Sequence, residues 1–240
     1  MLQKVKLLSK SISTSILEIV APRHCEICDD YIGTKPRQFE FICDKCVAMF
    51  PIAPPPTEVY NRFITNFKPN NLAIDKAIAL MSLSEDDKFI KIIYSLKYDG
   101  FRRVGIELGR ELGRFLIKNN MTDYDFLVPI PIHHARKRER GFNQSEFICK
   151  GINLVTHIPI NTKLLKRTKY TQSQTLLTKE ERKTNIQNVF SLFIPSTKLD
   201  GMTFLLVDDV LTTGSTINSA GSVLKNHGAK NVASATLAIA

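Results

Sequence analysis

The stretch that most constrains this chain runs from Phe204 to Thr216, FLLVDDVLTTGST. Apolar Phe204, Leu205, Leu206 and Val207 lead into two adjacent acids, Asp208 and Asp209. A loop of small, hydroxyl-bearing residues around Gly214 follows. An unbroken apolar run without alternation suits a parallel strand buried on both faces. Ser215 or Thr216 can cap a following helix, whose Ile217, Ala220, Val223 and Leu224 share one face. Gly228 stops that helix, and Asn231 to Ile239 reads as the returning strand. In open sheets built from such strand–helix–strand units, ligands sit beyond the carboxyl ends of the strands, where the two acids lie.

The residue types define the ligand. Backbone N–H groups over Leu211 to Thr216, freed by Gly214 and opening a helix, can cradle a phosphate. The hydroxyls of Thr212, Thr213, Ser215 and Thr216 add donors. Asp208 and Asp209 repel a phosphate but accept hydrogen bonds from a pair of sugar hydroxyls, directly or through a hydrated Mg²⁺. A phosphate at one end and a diol about one sugar away describe a ribose 5-phosphate. The plainer alternative is a strand ending in an acidic turn that only caps a helix, which leaves two adjacent acids and a whole loop to coincidence.

Cysteine spacing gives a second signal. Cys25-x₂-Cys28 is followed after 14 residues by Cys43-x₂-Cys46. Two such knuckles bring four thiolates to the corners of a tetrahedron, as a structural Zn²⁺ requires, and leave no open position for a substrate. Two disulfides are the competing reading, but no secretory signal points to an oxidising compartment. His24 can substitute as a ligand or stand as a surface histidine. Cys149, alone on a helical pattern, reads as core.

Around these two signals the chain divides into three parts. Residues 1–21 form an amphipathic helix bearing Ile12, Ile16, Ile19 and Val20. Residues 22–56 make a small four-cysteine, zinc-ribbon-like module and a Pro-rich linker ending in Pro54-Pro55-Pro56. Residues 57–240 make an α/β domain with a mostly parallel sheet flanked by helices. Residues 57–72 show no regular pattern. Ala77 to Leu83 reads as a strand, Asp86 to Leu96 and Val104 to Lys118 as helices, and Phe126 to Ile132 as a strand running out at its prolines. A basic loop over His133 to Gln144 follows, with a helix from Gln144 or Ser145. Asn185 to Phe193 reads as a further strand. No run of 18 or more apolar residues occurs, and the N-terminus has no clean apolar core or cleavage site, which points to the cytoplasm.

The formal charge of +10 is clustered. His133 to Arg140 carries a net +3 and Lys163 to Lys183 a net +5, so eight of the ten excess charges sit in 29 residues. A polyanion is the expected partner, either a pyrophosphate or a nucleic acid. Any single arginine of the first run can equally be a solvated surface charge.

The strand, paired acids and TTGST loop resemble the signature of the type I phosphoribosyltransferases. That resemblance implies that Asp208 and Asp209 hold the ribose hydroxyls of phosphoribosyl pyrophosphate (PRPP), with Mg²⁺, while Leu211, Thr212, Thr213, Gly214, Ser215 and Thr216 hold the 5-phosphate. It narrows further. VPIPIH with RxRxRGFNQ, then LLKRxKxTxxQxxL with ERxxNxxxxF, the LKYDG turn and the four-cysteine module are similar to the ComF family, phosphoribosyltransferase-like proteins tied to DNA uptake in naturally competent bacteria. The similarity covers the chain from about Pro22 onward. It implies that Arg136, Arg138, Arg140, Gly141, Asn143 and Gln144 border the PRPP or pyrophosphate site. It also implies that Arg167, Thr171, Gln174 and Arg182 belong to a segment closing over that site.

Arg167 and Lys169 are then the lid residues expected to assist catalysis by stabilising the leaving pyrophosphate. Three functions are compatible with this sequence. The first is transfer of phosphoribosyl from PRPP to an unidentified acceptor. The second is non-enzymatic handling of single-stranded DNA with PRPP as ligand or effector, where Phe142 and Tyr170 could stack bases. The third is PRPP-sensing regulation through a partner, for example another competence protein.

Overall fold

The Phe204 to Val207 run lies inside a four-stranded sheet. The computed structural model describes residues 22–33, 37–84, 87–97, 102–168 and 189–240. Four strands make the sheet: β1 (Lys76–Ser82), β2 (Phe126–Pro129), β5 (Thr203–Leu211) and β6 (Asn231–Ile239). Their order is β1-β6-β5-β2, and every pairing is parallel. All four carboxyl ends therefore share one edge. β5 has neighbours on both sides, and Phe204, Leu205, Leu206 and Val207 are fully buried, as the unalternating apolar run requires.

Helices cover both faces. On one side α3 (Ile90–Ser95), α4 (Arg102–Lys118) and α6 (Gln144–Thr156) pack with Leu205 and Val207 in a core that also takes in Cys25, Phe39, Ile42 and Cys46. The cysteine region, with its short helix α1 (Asp44–Ala48), thus shares a core with the sheet. On the other side α2 (Pro56–Ile64) and α7 (Ser215–Asn226) pack with Phe204 and Leu206. A separate antiparallel pair, β3 (Leu165–Arg167) and β4 (Phe190–Leu192), adds to that second core.

Helices α4 and α6 touch backbone to backbone. A Cβ on Gly109 would lie 2.3 Å from the Ile148 carbonyl oxygen, and one on Gly151 would lie 2.2 Å from that of Ile106. Only glycine permits this approach.

Three expectations need correction. Residues 57–72 are not patternless: Pro56 occupies the first turn of α2, Val59 and Phe63 are buried one turn apart, and a single 3₁₀ turn follows at Pro69–Asn71. The basic loop after β2 is a helix, α5 (His134–Arg140), with His133 at its N-cap and Gly141 at φ +76° closing it. Its Ala, Arg, Lys and Glu residues are good helix formers, so charge was misread as loop. The cap of α7 is Gly214, and no side chain of Ser215 or Thr216 caps it. The expected N-terminal helix, the LKYDG turn beyond Lys97, the start of the helix at Asp86 and of the strand at Asn185, and Lys169, Tyr170, Thr171, Gln174 and Arg182 lie outside the described residues.

Candidate functional site

Asp208 and Asp209 follow the buried Phe204 to Val207 run of β5 and are held from α6. Ser145 Oγ donates to Asp208 Oδ1 at 3.1 Å, and Gln144 Nε2 donates to Asp209 Oδ2 at 3.2 Å. Each carboxylate also takes the next backbone N–H, Asp209 N to Asp208 Oδ1 at 3.0 Å and Val210 N to Asp209 Oδ1 at 2.8 Å. Burial, and after it the charge of Asp209, push the Asp208 carboxyl well above the ordinary carboxylate range. The Asp209 N–H and the Ser145 hydroxyl pull against this. Both acids are half-buried.

The start of α6 is built to aim these contacts. Asn143 Oδ1 caps the Ser145 N–H at 3.2 Å, while its Nδ2 straps the Ile130 carbonyl beyond β2 at 3.0 Å. Asn143 is 3% exposed, so its amide is committed to this joint between β2 and α6. Ser145 is a site residue that sequence reasoning missed. The capping pattern Asn-x-Ser one turn before an apolar helix face was the available signal.

The loop after β5 turns at Gly214, where φ is +75°. Thr213 Oγ1 and Ser215 Oγ lie 3.0 Å apart, and the Ser215 N–H reaches Thr213 Oγ1 only at 3.4 Å. Among the described residues no protein group accepts from the N–H of Thr212, Thr213, Gly214 or Thr216. Those donors are free for an anion at the start of α7. A cavity of about 340 Å³ adjoins the loop between Thr212, Thr213 and the α2 residues Arg62 and Phe63, with Asn66 just beyond that helix. Asp208 and Asp209 do not line it.

The basic residues divide. Arg167 on β3 is close enough to Asp208 and Arg136 to feel both charges, and Arg136 and Arg138 lie near His133. Burial, then the neighbouring His134, Arg167, Arg138 and Arg136, keep the His133 imidazole below its ordinary value. Among the described residues no hydrogen bond or ion pair joins Arg140 to the two acids. Phe142 is buried and packs edge-on to Phe147 with Arg102 above it, so it offers no stacking face to a nucleic acid.

The sulfurs of Cys25, Cys28, Cys43 and Cys46 lie within 4.8 Å of one another. The Cys43 N–H points at Cys25 Sγ (3.3 Å) and the Cys46 N–H at Cys43 Sγ (3.4 Å). Burial raises the Cys25 thiol, but N–H groups of Cys43, Cys28 and Ile27 outweigh it and bring the value down to about 7. Four converging sulfurs with backbone donors behind them can hold a metal ion such as zinc. His24 is exposed and bonds the Asp29 carbonyl, outside this cluster.

Among the described residues no helix is long and apolar enough to cross a membrane. The phosphoribosyl transferase domain family matches residues 153–239, which include both acids and the loop. Competence protein F of Haemophilus influenzae is 33% identical over 106 residues, 44% of this chain and 46% of that protein. The DNA utilization protein YhgH of Escherichia coli K12 is 35% identical over 145 residues, 59% and 63% of the two chains. Competence protein ComFC of Bacillus subtilis is 34% identical over 115 residues, 46% and 43%. The matches thus span about half the length of these curated relatives. A parallel sheet with paired acids and an open amide loop at its carboxyl edge, matched by the phosphoribosyl transferase domain family, gives the chain the type I phosphoribosyltransferase fold, and with a cysteine cluster sharing the core of that sheet it is similar to these competence and DNA utilization proteins.

Proposed function

We propose that this chain binds PRPP with Mg²⁺ at the carboxyl edge of β5 and transfers its phosphoribosyl group to an acceptor, with release of pyrophosphate. One observation carries the reading: two carboxylates aimed by Ser145 and Gln144 stand immediately before a loop whose amides are open to an anion. The loop takes the 5-phosphate, and the acids take the ribose hydroxyls. Asp208 and Asp209 would also hold the Mg²⁺, directly or through its waters. The bound ion would neutralise charge on the pyrophosphate.

Displacement at the anomeric carbon breaks its bond to the pyrophosphate oxygen as the acceptor's lone pair forms the new one, and the bonding electrons leave with pyrophosphate. Arg167, near Asp208, stands where that negative charge grows, with Arg136 close to Arg167. Arg138, Arg140 and Lys169 extend the basic surface in sequence. Calorimetry on the full chain with PRPP and Mg²⁺ tests this. Saturable binding is expected, lost in Asp208→Asn/Asp209→Asn, and pyrophosphate release should begin when an acceptor is supplied. Equal binding by the double variant refutes the site.

A second reading rests on the names of the relatives, which refer to competence and DNA utilization. The protein would handle single-stranded DNA along its basic surface, with PRPP as ligand or effector. Helix α5, with four Arg and Lys residues in seven, is the described element suited to phosphate contacts. Binding of a single-stranded oligonucleotide that weakens steeply with salt, with no turnover of PRPP in any acceptor screen, favours this reading over the first.

A further inference from the structure

Gln144 is only 6% exposed, yet its two amide atoms fare differently. Nε2 donates to Asp209, while Oε1 is buried with no hydrogen-bond partner among the described residues. The orientation of the amide follows from the chemistry. An ionised carboxylate only accepts, so the nitrogen must face Asp209 and the carbonyl must face away from it. A buried carbonyl without a donor is costly. Native chains seldom carry such a group unless something outside the protein supplies the donor.

The position of the orphan indicates that donor. Gln144 stands beside Ser145, and the pair reaches both acids that end β5. Asp208 Oδ1 and both oxygens of Asp209 already have protein donors. The Gln144 carbonyl is thus a buried acceptor without a donor, on the same amide whose Nε2 holds Asp209. A sugar diol presents two O–H donors, and a third acceptor beside two carboxylates lets both hydroxyls be satisfied together.

We propose that Gln144 is a specificity-determining residue that selects ligands carrying an intact vicinal diol, with Nε2 fixing Asp209 and Oε1 accepting from one of the two ring hydroxyls. The ligand class is a ribose phosphate as opposed to a deoxyribose phosphate. The inference rests on the phosphoribosyl reading of the same site. A ligand lacking that hydroxyl would leave Oε1 buried and unpaired, and sites built to hydrogen-bond a hydroxyl discriminate on this basis.

Titration calorimetry of the full chain in Mg²⁺ buffer tests it, with ribose 5-phosphate, 2-deoxyribose 5-phosphate and 3-deoxyribose 5-phosphate as probes. Wild type is expected to prefer ribose 5-phosphate over both deoxy sugars. Gln144→Met keeps the side-chain length and removes both polar atoms. It should lower the preference against one deoxy sugar about tenfold, the equivalent of roughly 1.4 kcal/mol, through weaker ribose binding. Gln144→Asn, whose carbonyl falls short, should do the same, and unchanged melting temperatures confirm that both variants fold. An unchanged preference against both deoxy sugars overturns the proposal, as does equal weakening of all three ligands, which marks a purely structural residue. Failure of wild type to bind any of the three instead refutes the phosphoribosyl reading itself and takes this inference with it.

Discussion

Gly214→Ala separates two physical demands that the loop after β5 places on one residue. The first is conformational: φ is +75°, in the left-handed region where a Cβ meets the following carbonyl. That strain costs about 1–2 kcal/mol. The second is steric. A Cβ at Gly214 would lie 2.3 Å from Phe63 Cε2 and 2.6 Å from Phe63 Cδ2, and Phe63 is 1% exposed. Overpacking of this kind adds about 1–3 kcal/mol. The total is about 2–5 kcal/mol, and a chain of this size loses roughly 2–4 °C of melting temperature per kcal/mol. Gly201 supplies the control, with φ +77° and nothing within 4 Å of its Cβ position. Gly201→Ala should therefore cost only the strain, about 1–2 kcal/mol. Urea and thermal denaturation of both variants isolate the contribution of Phe63 as their difference. Phe63→Leu combined with Gly214→Ala should cost less than the two single changes added together, since the smaller side chain relieves the contact. If Gly214→Ala proves no more destabilising than Gly201→Ala, α2 does not brace the loop and the steric reasoning is wrong.

Two further outcomes follow from groups remote from the loop. Burial raises the Glu107 carboxyl above its ordinary 4.5, with the Glu40 N–H pulling the other way at 2.8 Å. The folded state therefore holds this proton more tightly than the unfolded chain. Its contribution to stability is fully present below pH 4.5 and is lost as pH rises through the raised folded value. Glu107→Gln keeps an acceptor for Glu40 and removes the charge, so urea midpoints should move in favour of the variant as pH rises from 4.5 to 7. Parallel curves refute the assignment. Elemental analysis should find one zinc per chain, and Cys46→Ser should lose it and melt several degrees lower, because Cys46 is fully buried in the core shared with α4 and β5. A variant that loses the metal yet melts with wild type shows that the metal does not support that core.

The βαβ unit was legible because its signals are local. Four consecutive apolar residues, a breaker at Gly228 and an apolar run to Ile239 fix β5, α7 and β6 without knowledge of the rest of the fold. Cysteine spacing was legible for the same reason. What failed was context. Helix α5 is short, almost wholly charged and partly exposed, so it carries no apolar period to read, and its caps at His133 and Gly141 were the only cues. Helix α2 was hidden by the prolines ahead of it, although Pro56 in a first turn is a start signal. Ser145 is invisible as a site residue in one dimension. It reaches the acids by a tertiary contact from the start of α6, 63 positions before Asp208.

The features that make this edge of the sheet costly coincide there. Asp208 is a carboxyl that burial and its neighbour Asp209 both disfavour as an anion. Gln144 buries a carbonyl with no donor, and Gly214 holds a left-handed turn against an aromatic ring, with the amides on either side of it open. Any one of these alone would be a minor defect. Together they ask for one partner with a particular distribution of charge: hydroxyl donors or a hydrated cation at the acids, a hydroxyl donor at Gln144, and an anion at the loop. Local violations that one ligand would relieve at once are how a binding site differs from a packing error. A sugar phosphate has that distribution, with the anion and the diol at opposite ends. A phosphate alone would leave the acids and Gln144 as costly as before, so inorganic phosphate should bind far more weakly than ribose 5-phosphate if all three features serve the same ligand.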